Sequence, residues 1–132
     1  MLFAVCDASS VEIEGGTEEL RELSRKIKDC VNFCQISLSV PTDRDDRGLV
    51  YLTQLAIIAD SGPVSISVSD RRLSVSGAKD KLDLFSESVD WLVGHQNAAI
   101  TQKVRDHLHV EFYPGHFFLS EDALPVVLIR QD

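Results

Sequence analysis

The chain has 132 residues, 44% of them hydrophobic, and a formal net charge of −8 at pH 7. That length and apolar content are enough for one domain with a core of its own, with no need of disulfide or metal staples. An acidic field repels nucleic acid and anionic membrane surfaces, so neither is an expected partner, and it hastens encounters with basic proteins.

The acidity is diffuse: residues 1–60 carry 11 acidic and 6 basic side chains, and residues 61–132 carry 10 and 7. Such a charge also serves solubility alone. Three cysteines, Cys6, Cys30 and Cys34, are too few and odd in number for a secreted disulfide framework. Reduced thiols in the cytoplasm are the expectation. The apolar opening Met1–Cys6 has no basic flank and is too short for a signal sequence. No stretch approaches the roughly 20 apolar residues of a membrane-spanning helix.

In chain order, Leu2, Ala4 and Cys6 alternate, Asp7–Ser10 is turn material, and Val11–Glu14 alternates again, which predicts a hairpin ending at Gly15-Gly16. The period then changes. Leu20, Leu23, Ile27 and Cys30 or Val31 fall on one helical stripe, predicting a helix over about 17–31 with Thr17 as its cap. A helix that long would put Cys30 and Cys34 on one face, where burial is favoured over metal binding because a lone C-x-x-x-C lacks a second pair of ligands.

A strand follows over Ile36–Val40, then the loop 41–48 and the long β-prone run Leu49–Ala59, read as one strand with a bulge, a buried helix being the alternative that periodicity leaves open. Asp43, Asp45 and Asp46 hint at calcium, but Gln54 stands where the bidentate glutamate of an EF-hand belongs, so a solvated loop is expected.

Shifting the numbering by 62 superposes a second unit on the first. Val64, Ile66 and Val68 fall on Leu2, Ala4 and Cys6; Gly77 falls on Gly15; Leu82, Phe85 and Val89 fall on Leu20, Leu23 and Ile27. The pattern of hairpin, glycine and helix reads either as an internal duplication, with pseudo-repeat units of about 1–60 and 61–132, or as a common unit used twice. The second helix is predicted over about 79–93, with Trp91 off the main stripe, where it either packs at the core margin, the favoured reading, or offers an interface anchor. Strands over 107–113 and 126–130 close the chain. The whole predicts an α+β domain spanning 1–132, a mainly antiparallel sheet with two helices on one face.

Residues 107–118 gather the densest chemistry. Alternation puts Leu108, Val110 and Phe112 on one strand face and His107, His109, Glu111 and Tyr113 on the other. Pro114-Gly115 signals a type II turn leading to His116, Phe117 and Phe118. Two histidines at i and i+2 could chelate a metal. However, a tight hairpin would leave His116 roughly 13 Å from His109 at the usual strand rise, too far for a shared ion. A third ligand would have to come from elsewhere, His95 or Asp106 for example.

A solvent-facing strand with an aromatic protein-binding turn is the stronger reading, with Phe112 assigned to the core. Nucleophile-elbow, phosphate-loop, dinucleotide and H-E-x-x-H signatures are all missing from the sequence.

The segment His107-x-His109-x-Glu-x-Tyr113-Pro-Gly-His116-x-Phe-Leu119, with Leu124-Pro-Val-Val-Leu-Ile129 after it, resembles the C-terminal signature of the immunity protein 32 family of bacterial polymorphic-toxin systems. Residues 64–93, with Leu73-x-Val-x-Gly77 and Leu82-x-x-Phe85, are similar to the unit before it. Ala123 and Phe117-Phe118 depart from that pattern. The resemblance implies a small cytoplasmic α+β protein that neutralises a toxin by binding it, with no catalytic residues and no cofactor. A basic nuclease toxin would suit the charge. The partner surface is then His107, His109, Glu111, Tyr113, His116, Phe117 and Phe118, in a monomer or homodimer. The alternative is a metal-binding protein or metal-dependent hydrolase using His107 and His109.

Overall fold

The structure, a computed structural model, describes residues 1–42, 48–94 and 106–131. In chain order the elements are β1 (Phe3–Cys6), β2 (Val11–Gly15), α1 (Thr17–Asp29), β3 (Phe33–Ser37), β4 (Val50–Leu52), β5 (Gln54–Ala59), β6 (Ser65–Ser69), β7 (Arg72–Gly77), α2 (Lys79–Gly94), β8 (Asp106–Val110) and β9 (Val126–Arg130). The α+β class is what the sequence predicts, but the strands divide between two mixed sheets. One has the order β4-β1-β2-β9-β8, the other β3-β5-β7-β6.

Each sheet contains an antiparallel hairpin, β1–β2 or β6–β7, whose second strand runs parallel to a strand from elsewhere in the chain. Thus β2 pairs with β9, placing Ile13 opposite Leu128, and β7 pairs with β5, placing Val75 opposite Ile57. The run Leu49–Ala59 is not one bulged strand. It breaks at Thr53, which stands between β4 in one sheet and β5 in the other, held by its N–H to Arg71 C=O at 2.8 Å.

The helices form where the apolar stripes predict. In α1, Leu20, Leu23 and Ile27 are buried; in α2, Leu82, Phe85, Val89 and Leu92 are buried. The cap of α1 is Gly16 rather than Thr17, and the Glu19 carboxylate accepts the Gly16 N–H at 3.1 Å. The helix ends at Asp29, so Cys30 lies at its C-cap and Cys34 in β3, and the two share no helical face.

The helices pack on each other, and α2 also lies against β7 of one sheet and β8 and β9 of the other. They therefore bridge two sheets instead of covering one. Where they meet, Ser24 and Ser86 are both buried. Small side chains at such a contact let helix backbones approach closely. Ser24 Oγ lies 2.5 Å from Asp90 Oδ1 and 3.2 Å from Ser86 C=O, and Lys28 closes the contact with an ion pair to Asp90. Burial works to raise the pKa of the Asp90 carboxyl, but the bonds from Lys28 and Ser24 outweigh it and hold the group below the usual carboxylate range.

Candidate partner-binding surface

The strand β8 is the outermost strand of the five-stranded sheet. Its alternation is as read from the sequence: His107 and His109 are exposed, and Leu108 and Val110 turn inward. The strand stops at Val110, so Glu111 and Tyr113 continue past it as exposed residues of the following loop. At its start, Asp106 forms an ion pair with buried Arg130, whose Nη1 also donates to Val93 C=O at 2.9 Å near the C-terminal end of α2.

The turn after β8 is built by local chemistry. His116 N–H donates to Tyr113 C=O at 2.9 Å, closing a turn in which Gly115 takes φ +90° behind Pro114. This is the type II geometry that a Pro-Gly pair prescribes, because only glycine enters that φ region without strain. His116 then organises the residues after it. Its Nδ1 accepts the N–H groups of Phe118 and Leu119 at 3.2 and 3.1 Å. A nitrogen that accepts cannot carry the proton, so the ring is neutral with its hydrogen on Nε2. Burial pushes the His116 pKa below the usual imidazole value, in agreement with that tautomer.

Around His116 the aromatic rings sort into an inner and an outer set. Phe117 stacks on it at 8° and 5.5 Å between centroids, and Tyr113 lies 4.7 Å away. These two are 61% and 55% exposed. Phe118 turns inward, buried, meeting His116 and core residue Phe85 edge-on at 4.5 and 6.5 Å. Phe118 therefore supports the turn from below, and Phe112 is packed against the core. Lys81 Nζ donates to Phe117 C=O at 3.2 Å, tying the turn to the start of α2.

Beside the turn runs a groove of about 280 Å³, bordered by Leu84, Glu87 and Trp91 of α2, Leu108 of β8 and Phe117. Sequence reasoning missed it. Of the two readings of Trp91, the half-exposed indole fits the interface anchor better than the favoured core margin. The signal was present in the spacing, since Leu84, Ser88 and Trp91 fall at i, i+4 and i+7, a second stripe beside the buried one.

The structure thus places the predicted residues in two clusters. His107 and His109 meet edge to face at 5.2 Å, while Tyr113, His116, Phe117 and Phe118 form the turn. The histidine pair gains no metal-binding company: among the described residues no group of three or more His, Cys, Asp or Glu could hold an ion. Asp106 is engaged by Arg130. His95 and the loop Asp43, Asp45 and Asp46 lie outside the described residues. The metal-site alternative is therefore without support. No helix among the described residues is long and apolar enough to cross a membrane.

No match was found among curated proteins. Residues 72–131, which run from β7 through the groove, the turn and β9, match the family model described as Immunity protein 32. That match supports the resemblance to the immunity protein 32 family carried by the His107–Ile129 motifs.

Proposed function

We propose that this protein neutralises a bacterial toxin by binding it, without catalysis, in the cytoplasm, and that the toxin presents a basic surface. The observation that carries the reading is the immunity-family match over residues 72–131. Exposed aromatics within that span support it. Tyr113, Phe117 and Trp91 are each more than half exposed, and the matched span also carries the exposed carboxylates Glu111, Glu121 and Asp122. Aromatic anchors carry a disproportionate share of interface energy, and complementary charge speeds capture and fixes orientation. His107, His109 and His116 complete the contact surface, His116 by holding Tyr113 and Phe117 in place.

The test begins with proteins from the source cells that the immobilised chain retains at low salt and releases at high salt. Each is expressed in a host alone and together with the chain. A retained protein that stops growth alone but not in the presence of the chain supports the reading. Retained proteins that are all harmless, or a toxic one that the chain fails to counter, overturn it. Trp91→Ala with Phe117→Ala should weaken that complex by about thirtyfold or more, the loss of one strong aromatic anchor. A complex of unchanged affinity would remove this surface from the reading.

A further inference from the structure

Among the described residues the five-stranded sheet ends on one side at β8, and the polarity of that edge can be worked out from its neighbours. Val11 N–H donates to Pro125 C=O at 2.9 Å, and Gln131 N–H donates to Gly15 C=O at 3.0 Å. With β2 and β9 parallel, the backbone groups of Val127 and Ile129 therefore face β2. Successive residues of a strand direct their backbone groups to opposite sides in the plane of the sheet. Val126, Leu128 and Arg130 consequently bond to β8, at Val110, Leu108 and Asp106 opposite them. The N–H and C=O groups of His107 and His109 point away from the sheet, and among the described residues no strand pairs with them.

The surroundings of that edge differ on its two faces. On the inward face, Leu108 borders the groove with Leu84, Trp91 and Phe117. On the outward face are His107 and His109, with Glu111 next in the chain. Residues 106–129 contain four carboxylates, Asp106, Glu111, Glu121 and Asp122, and neither lysine nor arginine. Asp106 is neutralised by Arg130, the other three are exposed, and Glu87 borders the groove.

We infer that the outer edge of β8 takes up an extended segment of the partner protein by strand addition, and that this segment alternates apolar with basic residues. Its backbone bonds to His107 and His109. Its apolar side chains fall beside Leu108 into the groove, and its basic ones lie on the His107–His109 face towards Glu111. Main-chain bonds supply affinity in such complexes, and pockets for alternate side chains supply specificity. The inference rests on the binding role proposed above.

A second edge offers a control. Ala59 N–H donates to Asn32 C=O at 2.8 Å and Asp60 N–H to Gly77 C=O at 2.8 Å, so by the same reasoning Gln35 of β3 directs its backbone groups outward. The hollow beside β3 is bordered by Arg25, Lys26 and Asp29. It has no acidic excess and lies outside the matched residues.

The probes are twelve-residue peptides selected from a randomised display library against the purified chain at low salt. Binding is measured to the wild-type chain, His109→Pro, His109→Ala and Gln35→Pro. Proline at 109 removes an outward N–H that the β8–β9 ladder does not use, so the sheet keeps its own bonds. The expected peptides alternate apolar and basic residues, bind His109→Pro at least tenfold more weakly than His109→Ala, in which the side chain is equally lost but the N–H is kept, and bind Gln35→Pro within about threefold of the wild-type chain. Methylating alternate peptide amides should abolish binding to the wild-type chain, a readout that does not depend on how well any variant folds. A library without binders, peptides insensitive to amide methylation, equal binding to His109→Pro and His109→Ala, or loss in Gln35→Pro instead would each overturn the inference. Growth protection separates the two readings. If His109→Pro protects cells as the wild-type chain does, strand addition fails and toxin binding stands; if the wild-type chain gives no protection, toxin binding fails, and the peptides still decide the edge.

Discussion

Replacing Gly77 with alanine should destabilise the protein, and replacing Gly15, its counterpart 62 residues earlier, should not. A Cβ at Gly77 would lie 3.0 Å from Val64 Cα, 3.2 Å from Pro63 O and 3.2 Å from Val64 N. All three are backbone atoms, so no side-chain rotation relieves the contact and the chain before β6 has to move. That stretch is held by Val64 N–H to Phe118 C=O at 2.7 Å and by Ser120 N–H to Val64 C=O at 2.8 Å. Overpacking of this kind costs about 1–3 kcal/mol. Removing a glycine from a strand end returns about 0.5–1 kcal/mol through the unfolded chain. The net loss lies between about 0 and 2.5 kcal/mol and centres on about 1 kcal/mol, a fall in Tm of roughly 4 °C for a chain of this size.

At Gly15 the nearest atom, at 3.0 Å, is Leu2 Cδ1, the far end of a flexible side chain. Its rotation leaves Gly15→Ala within about 0.5 kcal/mol of the parent, where surface-like substitutions usually fall. Urea unfolding of both variants, followed by circular dichroism and by Trp91 fluorescence, gives the comparison. Equal stability of the two variants, or a greater loss at Gly15, would show that the close approach of backbone at Val64 does not govern this position. Because Val64 also bonds the residues on both sides of Leu119, Gly77→Ala should loosen the aromatic turn and weaken partner binding more than Gly15→Ala does.

Three further outcomes are expected. Asp70 and Arg71 join β6 to β7 with φ of +52° and +59°, a two-residue turn that favours Asn-Gly. The double change Asp70→Asn, Arg71→Gly should therefore stabilise by about 1 kcal/mol in denaturant unfolding. His116 has a folded pKa below its unfolded value of about 6.5, so the unfolded chain binds more protons as the group titrates. Its contribution is complete above that pH and declines as pH falls through the lower, folded value, a slope that His116→Gln should remove from a stability–pH profile. Asp106→Ala removes the carboxylate paired with the 5%-exposed Arg130 and should cost about 1–3 kcal/mol, with Asp106→Ala, Arg130→Met recovering part of it, measured by the same unfolding assay.

The features legible in the sequence were local, and pairing between distant segments was not legible. The two units of hairpin, glycine and helix were visible because alternation, period 3.6 and turn residues act within a few positions. The turn at Tyr113–His116 was visible for the same reason, since Pro-Gly sets its own backbone. The division of strands into two sheets was not, because Leu49–Ala59 is uniformly β-prone and nothing in its composition marks Thr53 as the crossing. Nor could the sequence show that β2 and β7 take parallel partners from remote positions. At the site, the exposed residues of β8 and its loop followed from alternation, whereas the inward turn of Phe118 and outward turn of Phe117 depend on where His116 accepts its bonds. The choice between core margin and interface anchor for Trp91 could not be made from the sequence, because its neighbours in space, Leu108 and Phe117, come from beyond the end of its helix.

The exchange of strands between the halves of the chain bears on how the protein is made. β9 sits between β2 and β8, in the interior of its sheet, although it is formed by residues 126–130. On the ribosome, the first hairpin emerges more than a hundred residues ahead of the strand that must lie beside it. During that interval β2 presents an unsatisfied apolar edge, and completing the sheet requires closing a long loop, which slows folding. The surface of β8, the turn and α2 therefore matures only after residues 126–130 have left the tunnel. If capture uses that surface, as proposed, a growing chain offers a partner nothing to hold until residues 126–130 have emerged.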